Sequence, residues 1–192
     1  MTTEKLKAKD QVSGGLTANT GASEGARATG KYVVECHDKD GNLKWVAETP
    51  NLVVNVGLQY MAGSALTSTS QITSWYLGLY GAASSNNPSA GDTMGTHGGW
   101  TEVTDYSEST RPAATFAAAT NANPSVVTNT ASKATFTMNN TVTVGGAFLT
   151  SNNTKGGSTG TLFSAADFQS PGDRSVVSGD ILSVTYTFSL SA

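Results

Sequence analysis

Residues 31–50, KYVVECHDKDGNLKWVAETP, predict a β-hairpin from which the rest of the fold can be built outward. Tyr32, Val34 and Cys36 lie two residues apart and share one face of a strand, and residues 43–47 repeat this spacing. The sequence between them, DKDGN, consists of residue types that tolerate the left-handed backbone angles of tight turns. The stretch therefore predicts two antiparallel strands that bury one common face.

Strand-like segments continue from this hairpin to the C-terminus. Residues 181–190 alternate most clearly, because Leu182, Val184 and Tyr186 share one face while threonines and serines take the other. One interruption lies at residues 55–63, where helical spacing, an N-cap at Asn55 and a stop at Gly63 predict a short helix. Further strands are predicted at residues 72–80, 100–106, 111–119, 126–129, 133–138 and 141–150.

The composition agrees with an all-β chain. The 192 residues include 28 Thr, 22 Ser and 21 Gly, whereas charged residues make up 13%, well below the usual quarter. Threonine favours strands, and exposed helix faces normally require more Glu, Lys and Arg than this chain offers. We expect one all-β domain over residues 31–192, mainly an antiparallel β-sandwich or jelly roll, with one short helix near residues 55–63.

Two segments are predicted to lie outside regular structure. Residues 1–30 have Leu6, Val12 and Leu16 as their only large apolar side chains besides Met1, too few to form a core. This segment is either a tail without fixed structure or an extended arm that lies across a neighbouring subunit. Residues 81–99 form a loop longer than ordinary connections, a length typical of mobile or functional loops.

Charge and cysteine content exclude several classes of function. The net charge of −3 disfavours a protein that binds nucleic acid through its phosphates, and no apolar run is long enough to span a membrane. Residues 1–10 lack the apolar centre of a secretory signal, so we expect synthesis in a reducing cytoplasm. Cys36 is the single cysteine and fits a small core residue, so no disulfide and no thiolate zinc cluster is expected.

The sequence GGSTG at residues 156–160 matches the nucleophile elbow of serine hydrolases. That chemistry needs a strand before Ser158, a helix after it and a histidine base later in the chain. Both histidines, His37 and His97, precede Ser158, and the flanking residues are polar and small. We therefore interpret the match as a loop, and His97 as a loop residue that hydrogen-bonds to the backbone.

Two acidic clusters each have two interpretations, one as a catalytic or metal-binding site and a simpler one as a turn or loop. Asp38, Asp40 and Asn42 have the spacing of a calcium loop, but the rest of that motif is missing and a hairpin turn explains them. Glu102 and Glu108, with Asp105 between them, offer the carboxylates of a glycosidase subsite. A solvated acidic loop is the simpler explanation of that group.

Three parts of the chain have a sequence pattern known from one group of proteins. The first is YVVECHDKDGNLKWVAETPNLVVNVGLQYM (32–61), and the second is GDTMGTHGGWTEVTDYSESTRP (91–112). The third consists of ASKATFTM (131–138), GGAFLT (145–150) and GDRSVVSGDILSVTYTF (172–188). They cover most of residues 31–192 and resemble small structural proteins of tailed bacteriophages. That group includes head decoration, or cement, proteins, which bind the outer surface of the assembled shell. The resemblance implies a β-rich domain, a virion location and no enzymatic site, and it transfers no functional residue.

Three hypotheses of function follow. The first is a head decoration protein that binds the major capsid protein as a dimer or trimer, with residues 1–30 and 81–99 as contact regions. The second is a tail or fibre component that binds carbohydrate through Trp75, Trp100 or Tyr106. The third is a small glycoside-cleaving enzyme that uses Glu102 and Glu108. The first is favoured, and with it we expect no catalytic, cofactor-binding or metal-binding residue and no nucleic-acid or membrane partner.

Overall fold

A computed structural model describes residues 25–81, 87–169 and 172–192 as two antiparallel β-sheets packed face to face. The described elements are one helix and eleven strands: β1 Arg27–His37, β2 Leu43–Pro50, β3 Leu52–Val53, α1 Asn55–Leu66, β4 Tyr76–Gly81, β5 Glu102–Val103, β6 Ser125–Thr128, β7 Ala134–Thr137, β8 Val142–Thr150, β9 Leu162–Asp167, β10 Arg174–Val176 and β11 Ile181–Ser191. The predicted antiparallel β-sandwich with one short helix is confirmed.

Sheet A is built on the long pair of β1 and β11. Its order is β2-β1-β11-β6, and β7 pairs with the same edge of β11 as β6 does. The hairpin of β1 and β2 is confirmed, and the side chain of Asp38 closes its turn by accepting the backbone N–H groups of Asp40 and Asn42, both at 2.9 Å. The side-chain amide of Asn42 also donates to Asp38 Oδ2 at 3.0 Å, and this bond, together with the two backbone bonds, holds the pKa of the Asp38 carboxyl below its usual value. The turn explanation of this acidic cluster therefore accounts for its geometry.

The gap between β6 and β7 is filled by a buried asparagine. The Asn129 side chain accepts the N–H of Tyr186 at 2.7 Å and donates to the carbonyl of Val184 at 3.1 Å. Tyr186 lies between Thr187, where the pairing of β11 with β6 begins, and Val184, where its pairing with β7 ends. Asn129 thus satisfies hydrogen-bonding groups that would be costly to bury unpaired.

Sheet B has the order β3-β9-β8-β4-β5, with β10 beside the start of β8. Its inner face meets sheet A in the main core, which includes Tyr32, Leu79 and Tyr186. Its outer face is also buried, because Met94 and Trp100 pack on Tyr80 and Phe148 there. The predicted loop at residues 81–99 is therefore, over residues 87–99, a cover packed on the protein's own sheet, whereas residues 82–86 lie outside the described part.

The boundary of the predicted arm was placed too late in the chain. Strand β1 begins at Arg27, and residues 27–30 pair with residues 188–191 of β11. Because of this pairing, those four residues belong to the sandwich and not to the predicted arm. The rest of the predicted arm, residues 1–24, lies outside the described residues.

The predicted helix is longer than expected and is capped differently. Helix α1 covers Asn55–Leu66, its N-cap is Val54 in an extended conformation, and no side chain caps it. The N-cap prediction for Asn55 was therefore wrong. Gly63 does not end the helix either, since the chain turns away four residues later, where the N–H and hydroxyl of Thr67 both bond to the Gly63 carbonyl.

Three predicted strands are shorter than their sequence patterns indicated. The segment 72–80 forms a strand only from Tyr76, and the segment 100–106 only at Glu102–Val103. The segment 111–119 forms an isolated bridge between Ala113 and Tyr76 instead of a strand. The sequence also gave no signal for β9, whose residues LFSAAD are apolar on both faces and do not alternate.

Two glycines of sheet B make room for aromatic rings on its covered outer face. Gly78 pairs with Phe148, and Gly146 pairs with Tyr80, in the ladder between β4 and β8. A Cβ atom on Gly78 would overlap the Phe148 ring, and one on Gly146 would overlap the Tyr80 ring. The rings lie across the glycine backbones, a pairing that protects glycine in a sheet.

We expect Gly78→Ala to destabilise the sandwich by about 1–3 kcal/mol, because the added methyl group must displace the buried Phe148 ring. Urea unfolding followed by circular dichroism measures the change. Gly98→Ala is the matched control, since no atom lies within 4 Å of the position its Cβ would take. Equal unfolding midpoints for the two variants would contradict this account of the outer face.

Candidate functional site

The sandwich is open at the end where β11 finishes. Along the inner face of β11, Leu182 and Val184 are fully buried and Tyr186 is 1% exposed, but Leu190 is 41% exposed. All four side chains belong to one alternating row, so the loss of burial shows where sheet A is no longer covered. An apolar face of sheet A therefore continues past the main core.

A groove of about 430 Å³ lies at this open end, and we call it the end groove. Helix α1 and the chain that follows it form one wall, while strands of both sheets and Phe116 form the rest. Its lining residues are Tyr60, Met61, Ser64, Gln71, Trp75, Phe116, Val127, Leu149, Phe163, Tyr186, Phe188 and Leu190. Because most of these side chains are aromatic or aliphatic, the groove suits an apolar group rather than a charged one.

A row of aromatic rings fixes the shape of the end groove. Trp75 lies between Tyr60 and Phe163, with ring centroids 5.4 and 5.3 Å away, and Phe163 contacts Phe188 at 5.4 Å. All three contacts are edge-to-face, the arrangement that aromatic quadrupoles favour. The Tyr60 hydroxyl accepts the backbone N–H of Ile72 at 2.9 Å, which holds the segment after α1 against the groove.

A network of hydroxyl groups lies between the sheets beneath the end groove. The Tyr32 hydroxyl and Ser164 Oγ are 2.7 Å apart, and Asn51 Nδ2 donates to the Tyr186 hydroxyl at 2.7 Å. Ser164 Oγ also donates to the Tyr186 hydroxyl at 3.3 Å. Burial raises the pKa of both tyrosines above the ordinary value, so the floor of the groove is neutral and internally bonded.

Glu102, a candidate glycosidase acid, is committed to a buried ion pair. Arg111 Nε donates to Glu102 Oε1 at 2.8 Å, and Arg111 Nη2 donates to Glu102 Oε2 at 2.7 Å. The same guanidinium donates to the carbonyls of Asn152 at 2.9 Å and Gly157 at 2.7 Å. We call this group the arginine clamp, and it fixes the loop at residues 151–160 on sheet B.

Glu108 and Asp105 are also bonded to other parts of the chain. Both oxygens of Glu108 accept the N–H of Thr137 at 3.1 Å, and Asp105 accepts the side-chain N–H of Asn140 at 3.2 Å. Each of the three acidic residues thus bonds to a different part of the chain. This arrangement favours a structural explanation of the group over paired carboxylates that act on one substrate.

The match to a nucleophile elbow does not have the required surroundings. Ser158 is exposed in the loop that the arginine clamp holds, and the chain continues into strand β9 rather than into a helix. His97 is stacked on Trp100, and its Nδ1 bonds to the Trp100 carbonyl at 2.9 Å, as expected for a loop histidine. His37 ends strand β1 at the far end of the β1–β11 ladder from Leu190.

The three candidate carbohydrate-binding rings do not form one surface. Trp100 is buried under the cover of sheet B, where its Nε1 donates to Asp92 at 2.9 Å. Tyr106 is buried in the main core, edge-to-face on Phe136. Trp75 remains, and it lines the end groove.

Sequence reasoning did not identify the end groove. Tyr60 lies inside the helix predicted at residues 55–63, and no pattern in the sequence marks Phe163 as part of a site. Phe116 carried one usable signal, because it is the single large apolar residue in the stretch AATFAAA. The groove depends on side chains from distant parts of the chain, which no local pattern brings together.

Two further observations concern possible cofactors and membranes. Across residues 25–81, 87–169 and 172–192, no three His, Cys, Asp or Glu side chains come together in a way that would hold a metal ion. In the same part of the chain, helix α1 is too short to cross a membrane, and no other helix is described.

Comparison with known proteins gives no relative of this chain. No known family pattern, curated protein sequence or solved structure matches it.

We expect Glu102→Gln to lower the free energy of unfolding by about 3 kcal/mol, because it leaves the buried charge of Arg111 without its partner. Glu48→Gln is the matched control, since it breaks the exposed pair with Lys31 and should cost less than about 1 kcal/mol. Chemical denaturation measures both changes. If the free energy of unfolding fell by the same amount in both variants, the arginine clamp would not stabilise the loop at residues 151–160.

We expect Cys36 to make the fold less stable in alkali. Burial raises the pKa of its thiol from 9.0 to about 12, so the unfolded chain loses this proton at a lower pH than the folded chain does. Stability must therefore fall as pH rises through 9, by about 1 kcal/mol between pH 8 and 9.5. Denaturation of the native chain and of Cys36→Ala at both pH values isolates this effect. If the free energy of unfolding fell equally in both proteins between pH 8 and 9.5, the prediction would be wrong.

Proposed function

We propose that this protein is a structural component of a tailed-phage virion, and specifically a head decoration protein. It binds the outer surface of the shell formed by the major capsid protein and stabilises that shell, as a dimer or trimer made in the host cytoplasm. The sequence resemblance motivates the virion location, and it rests on residues 32–61, 91–112, 131–138, 145–150 and 172–188. The proposal assigns no catalytic step to the chain.

The observation that carries the proposal is the end groove at the open end of the sandwich. An aromatic groove with an exposed apolar rim gains free energy when another protein surface covers it. The N-terminal segment joins the sandwich at the same end, because Ala28 pairs with the groove residue Leu190. One end of the molecule thus combines a surface for attachment with additional chain that can contact the same partner.

Repetition of the shell makes weak attachment sufficient. A capsid presents many equivalent sites, and an oligomer that engages two or three of them gains affinity without any new type of contact. The low charge of the chain suits this role, since broad polar and apolar contacts contribute more to such attachment than a few salt bridges do. The acidic residues that an enzyme would need are instead bonded within the domain.

The proposal predicts saturable binding to particles of the encoding phage prepared without this chain. Added full-length protein should co-sediment with such particles at many copies per shell and should raise the temperature at which the shells break. Binding at only a few copies per particle would instead indicate the tail, and no binding would overturn the proposal.

Charge placed on the groove rim should weaken this binding. We expect Leu190→Asp to raise the dissociation constant for particles at least about tenfold, which corresponds to 1.4 kcal/mol. Val46→Asp is the matched control, because Val46 is also exposed in a strand, at 46% against 41%, but does not line the groove. Equal affinities for the two variants would remove the end groove from the attachment surface.

Removal of residues 1–24 should also reduce particle binding. Thermal unfolding should stay nearly unchanged, because every described strand pair begins at or after Arg27. The truncation spares residues 25–30, whose loss would damage the ladder between β1 and β11. Full particle binding by the truncated protein would show that the segment does not contribute to attachment.

A further inference from the structure

Helix α1 has no charged side chain on any of its sides. Its sequence, NVGLQYMAGSAL, contains no Asp, Glu, Lys, Arg or His, and the same is true of the whole segment 49–91. A surface helix normally carries charged and polar residues on the side that is turned away from the core. The sequence of α1 is therefore typical of a helix that has neighbours on two sides.

One side of α1 faces its own domain. Gly57 is buried so close to the Phe163 carbonyl that a Cβ atom at this position would overlap it. Tyr60, Met61 and Ser64, on the same side of the helix, line the end groove. These contacts account for one of the two neighbours.

A line of apolar side chains lies on the opposite side of α1. Leu58, Ala62 and Leu66 follow one another at intervals of four residues, so they lie above one another along the helix, and we call them the α1 stripe. Leu58 is 44% exposed, and Leu66, at 86%, is the most exposed large apolar side chain of the described residues. A single exposed leucine is ordinary, but a continuous apolar line on an uncharged helix is typical of a contact surface.

The α1 stripe is complementary to itself. Small Ala62 lies between two leucines, so the stripe has the same pattern in both directions. When the helices of two copies pack antiparallel about a twofold axis at Ala62, Leu58 of one copy lies beside Leu66 of the other, and the two alanines allow a close approach. A twofold interface requires a surface of this self-matching kind. No like charges meet there, because neither helix has any.

We propose that two copies of this chain associate through the α1 stripe, with a twofold axis at Ala62. This inference rests on the proposed function in one respect, since it names the contact of the dimer assigned there. The stripe and the groove-lining residues lie on opposite sides of α1, so the contact leaves both end grooves free to meet the shell.

The size of the contact makes the dimer weak in solution. A helix of 12 residues is about 18 Å long, and one such helix from each copy buries less than the roughly 800 Å² per partner of a standard interface. We expect a dissociation constant in the micromolar range. Weak association is sufficient on a shell, where attachment already holds neighbouring copies side by side.

Sedimentation velocity of the full-length protein, from about 1 to about 500 µM, measures this association. The native chain should pass from monomer to dimer over the range. Leu66→Lys should raise the dimer dissociation constant at least about tenfold, because it places a charge from each copy in an apolar contact while lysine preserves the last turn of the helix. Leu43→Lys is the matched control, since Leu43 is 57% exposed in β2, outside α1, and its variant should dimerise like the native chain.

Ala62→Cys tests the position of the twofold axis. The two introduced thiols would meet at the axis, so mild oxidation should join two chains by a disulfide. Leu43→Cys, treated in the same way, should give no joined dimer. The native Cys36 does not interfere, because it is buried.

A monomer at every concentration, a trimer, or equal dissociation constants for Leu66→Lys and Leu43→Lys would overturn the proposal. A thiol in Ala62→Cys that a soluble reagent cannot reach in the dilute monomer would also overturn it, because a segment of the same chain would then cover the stripe. Particle binding is measured separately. A monomeric chain that still binds shells would leave the attachment proposal intact, and a dimer that binds no shell would leave the α1 contact intact.

Discussion

The ladder between β1 and β11 is the constraint on which the rest of the structure depends. Eleven residues of each strand pair without interruption, so the alternating apolar row of β11 has a fixed direction from Leu182 to Leu190. Sheet B buries that row fully as far as Tyr186 and covers Phe188 only in part, through its contact with Phe163. The end groove is the consequence of this difference in length, and helix α1 forms its second wall. The main core and the candidate site are therefore parts of one apolar face.

Polar chemistry in this molecule is directed at its own backbone. The arginine clamp joins β5 to the loop at residues 151–160, Glu108 holds β7, and Asn129 completes the edge of β11. Buried charges of this kind are costly unless they are fully bonded, and here each carboxylate or amide replaces a missing backbone partner. Long loops are thereby fixed on a small sandwich, which suits a protein whose surface, rather than a reactive group, meets its partner.

Alternation in the sequence was enough to find the hairpin of β1 and β2 and the strands β7 and β11, because each of them has one buried face. The strands β6 and β8 were also predicted, although β6 is half-buried throughout and β8 is buried on both faces over most of its length. Alternation failed at β9, which is buried on both faces, and it overestimated the strand at residues 111–119, where Ala113 makes only an isolated bridge. The sequence pattern favoured a solvated acidic loop, whereas the side chain of Glu102 is buried in its ion pair with Arg111, a partner that could not be foreseen. Arg111 is recruited by contacts with Asn152 and Gly157, about forty residues later in the chain. The end groove escaped prediction for the same reason.

Cryo-electron microscopy of particles purified with and without this protein tests most directly whether it works as a repeated surface component of a shell. The account predicts additional density the size of two or three β-sandwiches, repeated with the symmetry of the shell on its outer surface, with the open ends of the sandwiches turned toward the capsid. Identical shell density in the two preparations, or additional density confined to the tail, would contradict it.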